Sequence, residues 1–167
     1  MKDIEVTALS NIDIALYEEL EKLGKEIDAL KKRQAAAHRL RTLDTVEQTL
    51  ALCKQVFESL HAYVAEQFQW VLNESPAVSE SKVNSLRTAA NRTFNKVQAT
   101  INQHLLKAAE LVGKPGLHKR YLAETSSDMQ KTLRRIYRIL GDEFEEDNDT
   151  KMISVVKTFF GKRRAEE

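Results

Sequence analysis

The chain has 167 residues, with 26 Lys+Arg, 25 Asp+Glu, 5 Gly, 2 Pro and a single Cys. That length is enough for one domain with a core of its own. So few Gly and Pro argue against a turn-rich β fold, and a lone Cys53 excludes an internal disulfide. No apolar run approaches the roughly 20 residues that cross a bilayer, and the start MKDIEVTALSN lacks a signal-type apolar core. A cytoplasmic protein is expected.

The net charge of +1 conceals a strong asymmetry. Residues 1–81 carry 9 Lys+Arg against 14 Asp+Glu, a net −5. Residues 82–140 carry 12 against 3, a net +9, and residues 141–167 carry 5 against 8, a net −3. A basic middle therefore lies between two acidic flanks.

The first predicted helix starts at Ser10, with Asp13 completing a capping box. Its apolar seam runs Leu16, Leu20, Leu23, Ile27, Leu30, Gln34 and Ala37 in alternating steps of four and three, the spacing of a heptad. A second seam, Val46, Leu50, Cys53, Phe57, Leu60, Val64, Gln67 and Val71, is out of register with the first. Thr42 and Asp44 are candidate caps there, so a tight turn is predicted near 42–45. One helix running through 11–73 is the alternative, because no Gly or Pro interrupts it.

Asn73-Glu74-Ser75-Pro76 reads as the next boundary, with Ser75 capping and Pro76 in the first turn. The third seam is Val83, Leu86, Ala90, Phe94, Val97, Ile101, Leu105, Ala108 and Val112, closed by Gly113-Lys114-Pro115-Gly116. A fourth helix carries Met129, Leu133, Ile136 and Leu140, starting as early as Leu117 if it tolerates a kink at Ser126-Ser127. Gly141 stops it. Six carboxylates follow within Asp142–Asp149, a self-repelling run that favours an extended linker. A short amphipathic helix, Lys151 to Phe160, and a basic tail complete the chain. The expected fold is all-α: an antiparallel bundle of four long heptad-patterned helices over 1–141, an acidic linker at 142–149, and an accessory helix and tail at 150–167.

Chemistry-bearing patterns are sparse. Ala37-His38-Arg39-Leu40-Arg41 resembles the local signature of histidine phosphotransfer domains, four-helix bundles whose helical histidine accepts a phosphoryl group. The resemblance implies His38 as acceptor and Arg41 as the cation on the phosphoryl oxygens. It spans five residues, and Thr42 stands where that family has a small residue, usually Gly. Arg33 and His38 have the R-x4-H spacing that resembles the catalytic pair of small helical ribonucleases of the HEPN type, a spacing easily met by chance.

Glu58 and His61 form a Glu-x-x-His pair like the half-site of ferritin-like di-iron bundles, but no second pair exists. The acidic run lacks the central Gly and alternating ligands of a calcium loop. No metal, cofactor or small-molecule substrate is inferred, and no catalytic set can be assembled.

The expected function is binding without catalysis: an adaptor or structural subunit that works through protein contacts or self-association. Tyr63 and Trp70 widen the apolar face of the second helix, and Ile153, Val156, Phe159 and Phe160 form that of the last. These are the candidate contacts. The alternative is a nucleic-acid-associated subunit, or one with an acidic partner, binding through the basic third and fourth helices. Its candidates are Arg92, Lys96, Lys107, Lys119, Arg120, Lys131, Arg134, Arg135 and Arg138.

Overall fold

The computed structural model describes residues 3–75, 77–143 and 153–154. Four long helices dominate: α1 (Ile4–Ala36), α2 (Leu43–Glu74), α3 (Glu80–Val112) and α4 (Gly116–Ile139). The fold is all-α, and no described helix is long and apolar enough to cross a membrane.

Local chemistry explains each helix end, and it corrects three predicted boundaries. α1 starts seven residues before the expected Ser10–Asp13 cap. Asp3 Oδ1 accepts from the Glu5 amide at 3.0 Å and the Asp3 carbonyl accepts from the Thr7 hydroxyl, which places the cap at Asp3. Ser10 and Asp13 lie inside the helix.

The α1–α2 break falls at 37–42 rather than 42–45, and it separates two helices. Without Gly, His38 takes the left-handed conformation itself, at φ 54°. The Arg39 carbonyl then accepts from the hydroxyls of Thr42 at 2.7 Å and Thr45 at 3.1 Å.

α3 is capped by Ser79, not Ser75. The Ser79 hydroxyl oxygen accepts from the Lys82 amide at 3.2 Å, whereas Ser75 closes α2 by donating to the Val71 carbonyl. Gly113, at φ 74°, ends α3 in the left-handed conformation that suits Gly. α4 begins at once and runs unbroken through Ser126 and Ser127.

The seams form the core. All eight predicted positions of α2 are buried, as are eight of the nine of α3, with Val112 half-buried. In α1 the seam holds through Leu30 and ends on Gln34, whose Nε2 donates to Asp44; Ala37 is exposed. Phe57 of α2 stacks on Phe94 of α3 with ring centroids 6.4 Å apart. Each such buried aromatic contributes on the order of 2–3 kcal/mol of transfer free energy.

Polar contacts fix how the helices lie. Asn11 meets Gln67 while Gln34 meets Asp44, so the start of α1 lies by the end of α2 and its end by the start of α2. Gln98 meets Thr125 and Asn102 meets His118, relating α3 and α4 in the same way. α2 and α3 pack on each other and on both remaining helices, whereas α1 and α4 make no substantial mutual contact. The cross-section is a rhombus, with α2–α3 as its short diagonal and α1 and α4 at the far corners.

Beyond α4, Asp142–Glu143 pair with Ile153–Ser154 in a two-residue antiparallel ladder, Asp142 opposite Ser154. Ile153 and Ser154 are thus extended where a helix was expected. The rest of that expected helix, with Val156, Phe159 and Phe160, lies outside the described residues, as does the acidic run after Glu143.

Candidate functional site

The predicted basic surface divides into two parts. On α3, Arg92 places Nη2 3.0 and 3.1 Å from the Asp13 carboxylate oxygens of α1. One turn on, the Lys96 ammonium sits 5.4 Å from the centroid of the Tyr17 ring, also on α1. These two cations are engaged with the opposite corner of the rhombus, so they do not join α4 in one patch.

On α4, Arg135 turns inward to α2, its Nη1 3.0 and 3.2 Å from the oxygens of Glu58. Lys54 of α2 reciprocates, bonding Glu124 and lying 3.7 Å from Asp128. That hydrogen bond to Glu124 is the main cause holding the Lys54 ammonium above its ordinary range, ahead of the two carboxylate charges. Acidic α2 and basic α4 are neutralised against each other along this edge.

What remains is a stripe. Arg120, Ser127, Lys131, Arg134 and Arg138 recur in steps of seven, four, three and four along α4, and all are exposed. At 1.5 Å rise per residue the stripe is about 27 Å long. Lys131 lies 4.0 Å from Asp128 with 71 % of its side chain exposed. Among the described residues no carboxylate pairs with Arg120, Arg134 or Arg138. The Arg120 guanidinium lies over the neighbouring Tyr121 ring at 5.9 Å. Of the two neighbouring candidates, Arg134 continues this row and Arg135 does not. Lys107 and Lys119 are exposed and separate from the stripe.

The histidines do not converge on a site. His38 is exposed in the α1–α2 connection rather than on a helix, which departs from the continuing helix that the phosphotransfer resemblance requires. Arg41 and Arg33 are exposed nearby. His61 sits half-buried beside the Glu58–Arg135 pair. Burial first and the Arg135 charge second hold its imidazole below the ordinary range, against the pull of Glu58.

His104 is lowered in the same way, by burial and then by Lys107 and Lys31, with Asp28 opposing. His118 shares a hydrogen bond with Asn102. Cys53 is buried in the core, and burial alone pushes its thiol up to about 12, where it is a packing residue rather than a nucleophile. Among the described residues no cluster of His, Cys, Asp and Glu could hold a metal ion.

A second surface escaped the sequence reading. On α1, Val6, Ile14 and Tyr17 are 63 %, 55 % and 63 % exposed, unusually bare for large apolar side chains. With Ser10 they follow a line on the side away from the Leu16–Leu23–Ile27 seam. The sequence carries the signal: Ile14 is half a turn out of phase with that seam.

Trp70 is 36 % exposed and Tyr63 is half-buried against the core, so the wide apolar face of α2 reflects its central place in the bundle. Open hollows lie on two helices among the described residues. One is on α1, between Glu18, Glu21 and Lys25, and the other on α2, around Trp70 and Asn73. Each is lined by a single helix and encloses nothing.

No protein-family model, curated protein or solved structure matches this chain.

Proposed function

We propose that this chain is a non-enzymatic adaptor or structural subunit, an antiparallel up-down-up-down bundle that works by holding protein partners on its outer helices. The exposed apolar side chains Val6, Ile14 and Tyr17, in line with Ser10, carry the reading. Large apolar side chains on an outer helix gain nothing from water, and burying them against another protein returns about 25 cal/mol per Å². The pairing of Asn11 with Gln67 and Gln34 with Asp44, and of Gln98 with Thr125 and Asn102 with His118, supports the antiparallel arrangement. Since α1 and α4 lie at opposite corners, the bundle offers two separate outer faces.

The test is purification of the tagged full chain from its native cells, with and without nuclease, beside the variant Ile14→Glu/Tyr17→Glu. A protein partner retained through nuclease treatment and lost in the variant is the expected result. Recovery of the same proteins by wild type and variant would refute the role of this line.

A nucleic-acid-associated subunit is the second reading, favoured by the exposed arginines of α4. Phosphate contacts would make it steeply salt-sensitive. Two features weigh against it. Tyr121 is buried and Tyr137 half-buried, so among the described residues no bare ring lies beside the stripe for a base to stack on. Arg92 and Arg135, two of the cations it would use, are engaged in ion pairs with neighbouring helices.

A further inference from the structure

We propose that the outer stripe of α4 docks an acidic helical segment of a partner protein, one whose carboxylates recur every three or four residues. The inference rests on the protein-binding reading above and supplies the chemistry of one partner.

Phase is the first argument. Arg120, Lys131, Arg134 and Arg138 stay on one line only because their spacing is that of a heptad, whose intervening positions are Ser127 and Glu124, the latter bonded to Lys54. Charged residues at such positions on one helix meet charged residues of equal period on a helix laid alongside, which is how flanking charges of paired helices select partners. A flexible chain or a flat acidic surface would not require the cations to keep step. Arg135, which breaks the step, belongs to the intramolecular pair with Glu58.

Charge is the second argument. Three cations are matched by carboxylates on another helix: Arg92 by Asp13, Lys54 by Glu124 and Arg135 by Glu58. Among the described residues the stripe retains Arg120, Arg134 and Arg138 without a carboxylate, and Lys131 with a distant one. Arginine's planar fork takes carboxylates in bidentate fashion, so three arginines in line favour carboxylates over bulk counter-ions.

Composition is the third. Ser127 within the stripe and the exposed positions Ala123 and Gln130 on one flank are small or polar, leaving room for a second helix to approach and, among the described residues, no bare ring on which bases could stack. The stripe's length of about 27 Å corresponds to a partner helix of about five turns.

The experiment uses the full chain and three labelled probes in fluorescence anisotropy at low salt. One is an alanine-based helical peptide with Glu at positions repeating by three and four. The second has the same composition with its Glu residues spread around the helix. The third is a short DNA duplex. We expect the in-phase peptide to bind about tenfold more tightly than the out-of-phase one, and binding to fall at least tenfold in Arg134→Glu/Arg138→Glu. Arg134→Gln/Arg138→Gln should fall less, and circular dichroism melts confirm that each variant is folded.

Equal binding of the two peptides, or tighter binding of the duplex than of either, would overturn the proposal. So would failure of both peptides to bind. In that last case a native protein partner still lost in Ile14→Glu/Tyr17→Glu would leave the adaptor reading intact.

Discussion

Arg92 on α3 and Asp13 on α1 are joined side by side, one guanidinium nitrogen within 3.1 Å of both carboxylate oxygens. Both side chains are partly solvated, at 51 % and 38 % exposure, so the pair contributes little. Arg92→Ala should cost no more than about 1 kcal/mol in urea denaturation, and the double-mutant cycle with Asp13→Ala should give a coupling of about 0.5 kcal/mol. A coupling near zero would show that the pair does not tie α1 to α3.

The core behaves differently. Phe94 is fully buried against Phe57, with no room for water to replace it. Phe94→Ala should destabilise by about 3–5 kcal/mol, while Phe94→Leu, which keeps most of the volume, should cost distinctly less. Guanidinium titrations followed by circular dichroism measure both.

Stability should fall as pH drops below neutrality. His61 and His104 are both held below the ordinary value of 6.5, so the unfolded chain takes up protons at a higher pH than the folded one. The folded state is therefore undiminished above that value and loses ground as pH falls through it. Between about pH 7.5 and 5.5, above the carboxylate range, the urea midpoint should decline, and His61→Gln/His104→Gln should flatten the decline. An unchanged slope in the double variant would refute this assignment.

His38 holds φ 54°, a conformation that is strained for any residue with a Cβ. His38→Gly relieves it and should raise stability by up to about 1 kcal/mol, or about 2–4 °C in Tm for a protein of this size. His38→Val should lower it. Differential scanning calorimetry distinguishes the two directions.

Cys53 should be silent to thiol reagents in the native state. Its burial raises the thiol to about 12, and the reactive thiolate is then almost absent at neutral pH. Labelling by a chromogenic disulfide should proceed only as fast as the core opens, and should become immediate in denaturant.

The seams were legible because a heptad of apolar residues has one physical use on a long helix, and nearly every seam residue from Leu16 to Leu140 is buried. The ends were less legible. Ser10, Ser75 and Ser79 are equally good caps by residue type, and the choice among them depends on where the packed seam begins. Asp3 was passed over because Val6 lies outside the seam altogether.

The break before α2 carries no Gly or Pro, so its left-handed residue could not be recognised from composition. A sequence does not show which carboxylate sits opposite each basic residue. Arg134 and Arg135 are neighbours with opposite assignments, one to solvent and one to Glu58.

The separation of α1 from α4 by the central α2–α3 pair has a geometric consequence. A molecule gripping the apolar line around Ile14 and another gripping the cations around Arg134 approach from opposite sides and never compete for space. Each occupancy can then rise or fall without displacing the other. On the proposed reading, added salt would loosen the charge-held side first and leave the apolar side in place, so that a two-sided connector becomes one-sided without unfolding.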